Sequence, residues 1–336
     1  MSGFMTLFSQ ALEQLRLAAV NVPGITPLAD APFLFRPLVM VVLLGIVAGV
    51  IGVIINLRSA EFSAEAMVHA VFPGIVAGAV YWGIDSIIPA ASVVAIAAAL
   101  VLTIVSHRSH RNEASEAGTA VVLTSFFSIG LILSLAKGDM SGQLEALMFG
   151  RLLEVTDQRL AQAFIVCAIA LLLIMATWKE QIAYAFDRAG ARASGLRLLM
   201  LDLVLNTAIA AAVVSASTAV GTLLVIGYLV IPGATGRVLA SRVRSMVAVA
   251  VAVGVGGGYL GMLLMAMPEI LDRPVSPQAG VALVMTGILF LVVGAVGLRE
   301  RIGRMRRGAR DRMTALSPAQ SRETMSKDMV PRGERV

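Results

Sequence analysis

The sequence predicts an all-α, polytopic membrane protein with eight or nine transmembrane helices. Three observations carry that prediction. Of 336 residues, 58% are hydrophobic and only 14% charged, with a mean hydropathy of +0.86, far from a soluble domain. The apolar residues fall in runs near the roughly twenty residues that a bilayer core requires. The charges fall between those runs and in the C-terminal tail, so most of the chain is one bundle.

Runs long enough to span lie at 33–57, 62–84, 86–106, 114–136, 160–178, 199–217, 219–240, 246–267 and 279–298. The division between the sixth and seventh is open. Residues 199–240 hold only Asp202 and Arg237 as charges, and Ser215-Ala-Ser-Thr218 is their sole turn signal. Eight spans plus a broken or re-entrant helix account for the same stretch. Residues 1–32 are mildly amphipathic (Leu7, Phe8, Leu12, Leu15) and end in Pro23, Pro27 and Pro32. Glu13 and Arg16 interrupt their apolar positions, so an extracytoplasmic interfacial helix and linker fit better than a signal peptide. A transmembrane domain, 33–300, follows. The basic tail, 301–336, is polar and aperiodic beyond Arg312, and is expected to be disordered.

Charge sets the orientation. With the N-terminus outside and the C-terminus cytoplasmic, the inner side collects Arg58, Arg108, Arg111, Lys179, Arg188, Arg192, Arg197, Arg237, Arg242, Arg244 and the tail from Arg299. Only Arg16, Arg36, Lys137, Arg151, Arg159 and Arg273 remain outside, as the positive-inside rule demands. The net charge of +6 is therefore a topology signal spread over helix ends, with no patch fit for nucleic acid. Two connections exceed a turn. In the outer one, 137–159, Leu144, Leu147, Met148, Phe149, Leu152 and Leu153 have the spacing of a short interfacial helix. In the inner one, 179–198, small residues allow a partner to approach closely.

The densest chemistry lies in Glu61–Gly74. Glu65 and His69 are four residues apart, one turn apart on one helix face, within or at the mouth of a span. An ionisable group at the bilayer centre costs roughly 2.5–3.5 kcal/mol on insertion scales and usually faces a pathway or a partner. Carboxylate and imidazole together suit a divalent transition metal. The structural alternative is a carboxylate near a helix start and a histidine hydrogen-bonded between helices, with Arg58 and Glu61 paired nearby. Two ligands are not a site, and Asp202, Asn206, Tyr228 and Thr222 are candidates for the remainder.

Other motifs are weaker. Pro73-Gly74 kinks its span and can shape a cavity or simply pack. In Gly221–Gly236, Gly221 and Gly227 permit close helix approach and Pro232 breaks the backbone ladder. Gly254-Val-Gly-Gly-Gly258 follows no strand and lacks the Gly-x-Gly-x-x-Gly order, so it is packing. His107 and His110 sit among arginines and are expected to be solvated. The single cysteine, Cys167, excludes a disulfide framework or thiolate cluster. There is no Gly-Lys dipeptide, which excludes a Walker A loop. There is no His-Glu-x-x-His or Ser-His-Asp grouping either, so an intramembrane enzyme is unsupported.

Four stretches together resemble the membrane permease subunit of metal-uptake (zinc, manganese or iron) ABC transporters. The family's small-Asp-Ala-x-x-His-Ala-x-x-Pro/Leu-Gly signature is matched by Ala64-Glu65-Ala66-Met67-Val68-His69-Ala70-Val71-Phe72-Pro73-Gly74. Its Asp-x-x-x-Ala-x-x-x-Gly pattern is matched by Asp187, Ala191 and Gly195. Val220-Gly221 through Leu229 and Pro232-Gly233-Ala234 echo a third signature, and Phe149-Gly150 is similar to its Leu-Phe-Gly. Glu65 departs from the usual aspartate, and Gly233 and Gly236 replace alanines. Together the matches cover about 35–300.

The resemblance implies a type II, vitamin B12/metal importer-like bundle in the bacterial cell (inner) membrane. It implies ABC ATPase subunits at the cytoplasmic face, an extracytoplasmic solute-binding protein and a second permease chain, identical or a sister. The divalent metal is the transported substrate, with no permanently bound cofactor. Glu65 and His69 would coordinate it transiently, Asp187, Ala191 and Gly195 would form the ATPase-coupling loop, and Gly221, Gly227 and Pro232 would frame the pathway. Three alternatives stay open: a same-fold importer of iron chelates or a corrinoid, an ion-coupled secondary carrier using Glu65 and Asp202, and a membrane anchor.

Overall fold

The computed structural model describes residues 2–108, 112–136, 149–266 and 276–328. The described elements are helical. An N-terminal helix, α1 (Ser2–Val20), and a short α2 (Thr26–Ala29) lead into α3 (Pro32–Leu57). Next come α4 (Glu61–Ala70), α5 (Phe72–Ala77), α6 (Ile87–Arg108), α7 (Asn112–Leu135), α8 (Asp157–Ala176), α9 (Trp178–Phe186) and α10 (Arg188–Ala193). The chain closes with α11 (Leu198–Ala219), α12 (Thr222–Leu239), α13 (Val243–Ala266) and α14 (Pro277–Asp328).

Eight of the described helical segments are long and apolar enough to cross a membrane, and Leu224–Leu239 is a shorter apolar ninth. The split near 217–219 is thus real, and Gly221 makes it. At φ +87° this residue takes a backbone conformation that side chains disfavour, ending α11 and restarting the chain as α12. The second span is also broken. Pro73 lies in the first turn of α5 and has no amide hydrogen for a continuous ladder. The helix therefore steps at Val71, and the span ends in a wide turn at Gly78–Trp82.

The centre of the bundle is α3, and its packing is set by glycine. A Cβ added at Gly45 would lie 2.6 Å from the backbone of Gly254, and one at Gly49 would lie 2.7 Å from Val251. A Cβ on Gly52 would strike the Leu229 carbonyl, and one on Gly233 would strike Gly52. Small residues let membrane helices approach to backbone contact, where dispersion drives association. The 254–258 run is packing, as expected: added atoms at Gly254, Gly257 and Gly258 meet Gly45, Met285 and Val41. Polar groups close the same seam. Tyr228 donates to the Val41 carbonyl (2.8 Å), and Asn56 donates to the carbonyls of Gly52 (2.8 Å) and Val230 (3.3 Å).

Helix α1 lies against α8 through Phe8 and Phe164 (ring centroids 6.5 Å apart) and Ser9 donating to Asp157 (3.0 Å). It leaves Phe4, Leu7, Leu15 and Leu17 exposed. Residues up to Leu289 form one compact unit, and those from Phe290 a second. In the second, α14 is helical to Asp328, further than the tail's aperiodic pattern predicts. Its Arg, Met, Ala and Glu residues are good helix formers. Most of the proposed interfacial helix of the outer connection, and His110, lie outside the described residues. Within that connection, Leu152–Glu154 forms a single tight turn.

Candidate functional site

Helix α4 starts immediately after α3 through a tight reversal. Ser59 takes φ +51° and the Ala60 amide donates back to the Ile55 carbonyl (2.9 Å), the hydrogen bond of a Schellman turn. Ala64, Ala66, Met67 and Val68 are buried, which fixes the rotation of α4 and turns Glu65 out to an exposed position. His69, one turn on, is half-buried, with its ring edge-on to Phe127 of α7 (5.3 Å between centroids, 80° between planes). Among the described residues Glu65 makes no hydrogen bond or ion pair. It opens instead on a groove of about 460 Å³ shared with Glu61, Phe62 and, from α12, Ile226, Gly227, Val230 and Ile231.

The structure thus brings Glu65 and Gly227 to one groove. Gly221 and Pro232 are elsewhere: Pro232 is buried, and Gly221 abuts Gly150. Two resemblance motifs therefore meet. A Cβ on Gly150, itself at φ +82°, would collide with Val220 and Gly221. Among the described residues no three His, Cys, Asp or Glu side chains are grouped to hold a metal. Three of the four further candidates are engaged elsewhere, and the fourth, Thr222, is buried at the start of α12. Asn206 donates to Thr103 (2.9 Å) and Tyr228 to Val41, while Asp202 sits in a separate cluster.

That cluster lies at the C-terminal end of α3, about 39 Å along the 26-residue helix from its start. Arg58 pairs with Asp202, donates to Gln181 (2.7 Å) and lies 3.9 Å over the Tyr184 ring. Tyr184 and His107 approach the other Asp202 oxygen, each at 3.3 Å. Two expectations are corrected here. Arg58 pairs with Asp202 on α11 rather than with Glu61, because α4 turns away at Ser59. His107 is not simply solvated, because the end of α6 faces the same carboxylate. Burial pushes the Tyr184 phenol up, with Asp202 adding to the effect, so it remains a donor. The cluster borders a cavity of about 990 Å³ that also meets Ser63, Arg188 and Arg192.

Asp187, Ala191 and Gly195 form one local device. Asp187 caps α10 by accepting from the Gly190 amide (2.8 Å). Ala191 is buried against Tyr184, Leu198 and Leu201. Gly195, at φ +81°, ends the helix: its amide donates to Arg192 and that of Leu196 to Ala191, both at 3.1 Å, a complete Schellman motif. The spacing of four and four is thus cap, inward face and stop. It leaves Phe186, Arg188 and Arg192 exposed.

Residues 30–296 match the ABC 3 transport family. The chain belongs to that family. Its relatives include a manganese transport system membrane protein, MntC, of Listeria monocytogenes, 34% identical over 231 residues, covering 68% of this chain and 80% of the relative. A chelated iron transport system membrane protein, YfeC, of Yersinia pestis is 29% identical over 226 residues, covering 66% and 75%. Among solved structures, PsaBC from Streptococcus pneumoniae in complex with Fab superposes with a TM-score of 0.68 at 26% identity, over 80% of this chain and 94% of that one. The all-α architecture with multiple spans is thus that of an ABC permease, and this family member is a multi-pass membrane protein and a transport subunit.

Proposed function

We propose that this chain is the permease subunit of an ATP-driven importer of a divalent transition metal, manganese, zinc or iron. It would work with separate ATPase subunits at the cytoplasmic face, an extracytoplasmic metal-binding receptor and a second permease chain. The observation that carries the reading is Glu65, an exposed carboxylate in a membrane span, one turn from His69 and facing the Gly227 side of α12. A lipid-facing charge there would be unfavourable; a pathway wall gives it a role. One chain supplies two ligands, and a second chain can supply more. A few oxygen and nitrogen ligands replace part of a cation's lost water shell while leaving binding weak enough for release. The names of the relatives support manganese or iron as cargo.

The positive-inside distribution supports an N-terminus outside and a C-terminus in the cytoplasm of a bacterial cell membrane. The α10 device would then face the ATPases. Residues 1–32 would be an interfacial segment, 33–300 the permease domain and 301–336 a cytoplasmic basic tail. The test is metal accumulation in cells lacking their own uptake system, expressing the chain with its ATPase and receptor. Wild type should raise one metal selectively, and His69→Ala and Glu65→Gln, at matched membrane levels, should each lose at least about tenfold of that uptake, roughly 1.4 kcal/mol or more. Uptake surviving both changes sinks the site assignment.

A further inference from the structure

We infer that the Arg58–Asp202–Tyr184 cluster is the mechanical link between the docking helix α10 and the ligand-bearing helix α4. This rests on the functional reading above and adds positioning residues to it. The argument is one of connectivity. Arg58 caps the C-terminal end of α3, directly before the Ser59 reversal, and α4 begins two residues after Ser59. The preceding segment is anchored: Arg237 of α12 donates to the Asn56 carbonyl (2.6 Å). Arg58 itself makes its polar bonds away from α4, to Gln181 on α9 and Asp202 on α11. Tyr184 is the hinge point. One face lies under the Arg58 guanidinium, its hydroxyl reaches Asp202, and it shares a small apolar cluster with Ala191 of α10.

Between α10 and the start of α4 lies the cavity of about 990 Å³, lined on one side by Arg188, Ala189 and Arg192 and on the other by Ser59, Ala60 and Ser63. Space there means that pushing α10 does not press α4 directly. Displacing α10 moves Tyr184, which repositions Arg58 and so the backbone at Ser59, where a non-glycine residue already holds an uncommon positive φ. The junction at Asp202 ties α3, α6, α9 and α11 together through one carboxylate, a contiguous network through which a displacement can be passed on. A guanidinium fork bonding two acceptors while stacked on an aromatic ring is not reproduced by an ammonium.

The test uses the complete importer, permease with ATPase and receptor, in proteoliposomes, with manganese(II), zinc(II) and iron(II) offered separately. Both ATP hydrolysed and metal moved are recorded. Arg58→Lys and Asp202→Asn should keep ATP hydrolysis within about twofold of wild type but lower metal moved per ATP at least about fivefold. Arg36→Lys, altering the Arg36–Asp157 pair at the opposite end of α3, should leave the ratio unchanged. An unchanged ratio in both cluster variants overturns the inference alone. So does an equal fall in hydrolysis and uptake, or loss of ATPase binding, either of which marks a purely structural role. A wild-type complex that moves no metal overturns the functional reading and this inference with it.

Discussion

Asp202 and Glu65 are both carboxylates in apolar helices, and the fold treats them in opposite ways. Asp202 is approached by Arg58, His107 and Tyr184 from three other helices, and its side chain is 18% exposed. Glu65 stands exposed in an open groove and makes no hydrogen bond or ion pair among the described residues. An intramembrane charge must be compensated. Asp202 is compensated within the chain, where it joins four helical elements at one point. Among the described residues nothing compensates Glu65, which fits the transport ligand proposed above. This contrast also weakens the ion-coupled alternative, since Asp202 is already committed to Arg58.

The largest effect should come from breaking the committed carboxylate. Asp202→Ala leaves the Arg58 guanidinium, 9% exposed, bonded to Gln181 but without its counter-charge. Stranding one partner of a buried pair costs about 3–5 kcal/mol. Thermal unfolding of the detergent-solubilised protein should show this as a clear fall in Tm. A Tm at the wild-type value would mean that water compensates Arg58 and that the cluster is not structural.

Next in size is the glycine contact that joins two motifs distant in sequence. Gly221→Val forces a β-branched residue into φ +87°, and it disturbs a backbone that already touches Gly150. Overpacking costs typically 1–3 kcal/mol, with positive φ adding to it. Yield of folded protein should drop markedly. The same substitution at Gly256, where an added Cβ meets nothing within 4 Å, should be tolerated far better. Equal yields would refute the close-packed assignment.

These two residues also show what was legible beforehand. The spans could be read because twenty apolar residues have few soluble alternatives, and Pro73 signals its kink locally; the break after α11 was legible only as the turn signal Ser215–Thr218, whereas Gly221 makes it. Asp187, Ala191 and Gly195 were legible only through the family resemblance; that they are cap, buried face and stop within nine residues comes from the structure. Arg58–Asp202 and Gly150–Gly221 were not, because each joins positions far apart in the chain, and hydropathy says nothing about which helices become neighbours. Ion pairs in particular follow rotation: α4 turns Glu61 away from Arg58, and α11 turns Asp202 toward it. Glu65 and His69 were legible as chemistry, but the absence of a third ligand among the described residues could not be seen from spacing.

A smaller effect is expected at Gly195. Its positive φ places it at the stop of the Schellman motif, and nothing lies within 4 Å of an added Cβ. Gly195→Ala therefore pays only the left-handed conformational cost, about 1 kcal/mol. Tm should shift slightly, while ATPase binding to the permease, measured by co-purification, should weaken if α10 frays. Unaltered co-purification would mean that docking depends on side chains rather than on the helix end.

Glu65→Gln should have the smallest effect on stability and among the largest on transport. The side chain makes no ion pair among the described residues, so its removal strands no partner, and an exposed change of this kind falls within about 0.5 kcal/mol. In lipid the neutral amide is if anything easier to accommodate than the carboxylate. Tm should therefore match or slightly exceed wild type while metal accumulation collapses. That combination, the inverse of Asp202→Ala, separates a carboxylate kept for a ligand from one kept for the fold. A fall in Tm comparable to that of Asp202→Ala would show instead that Glu65 has a structural partner in the membrane, and the difference between the two carboxylates would disappear.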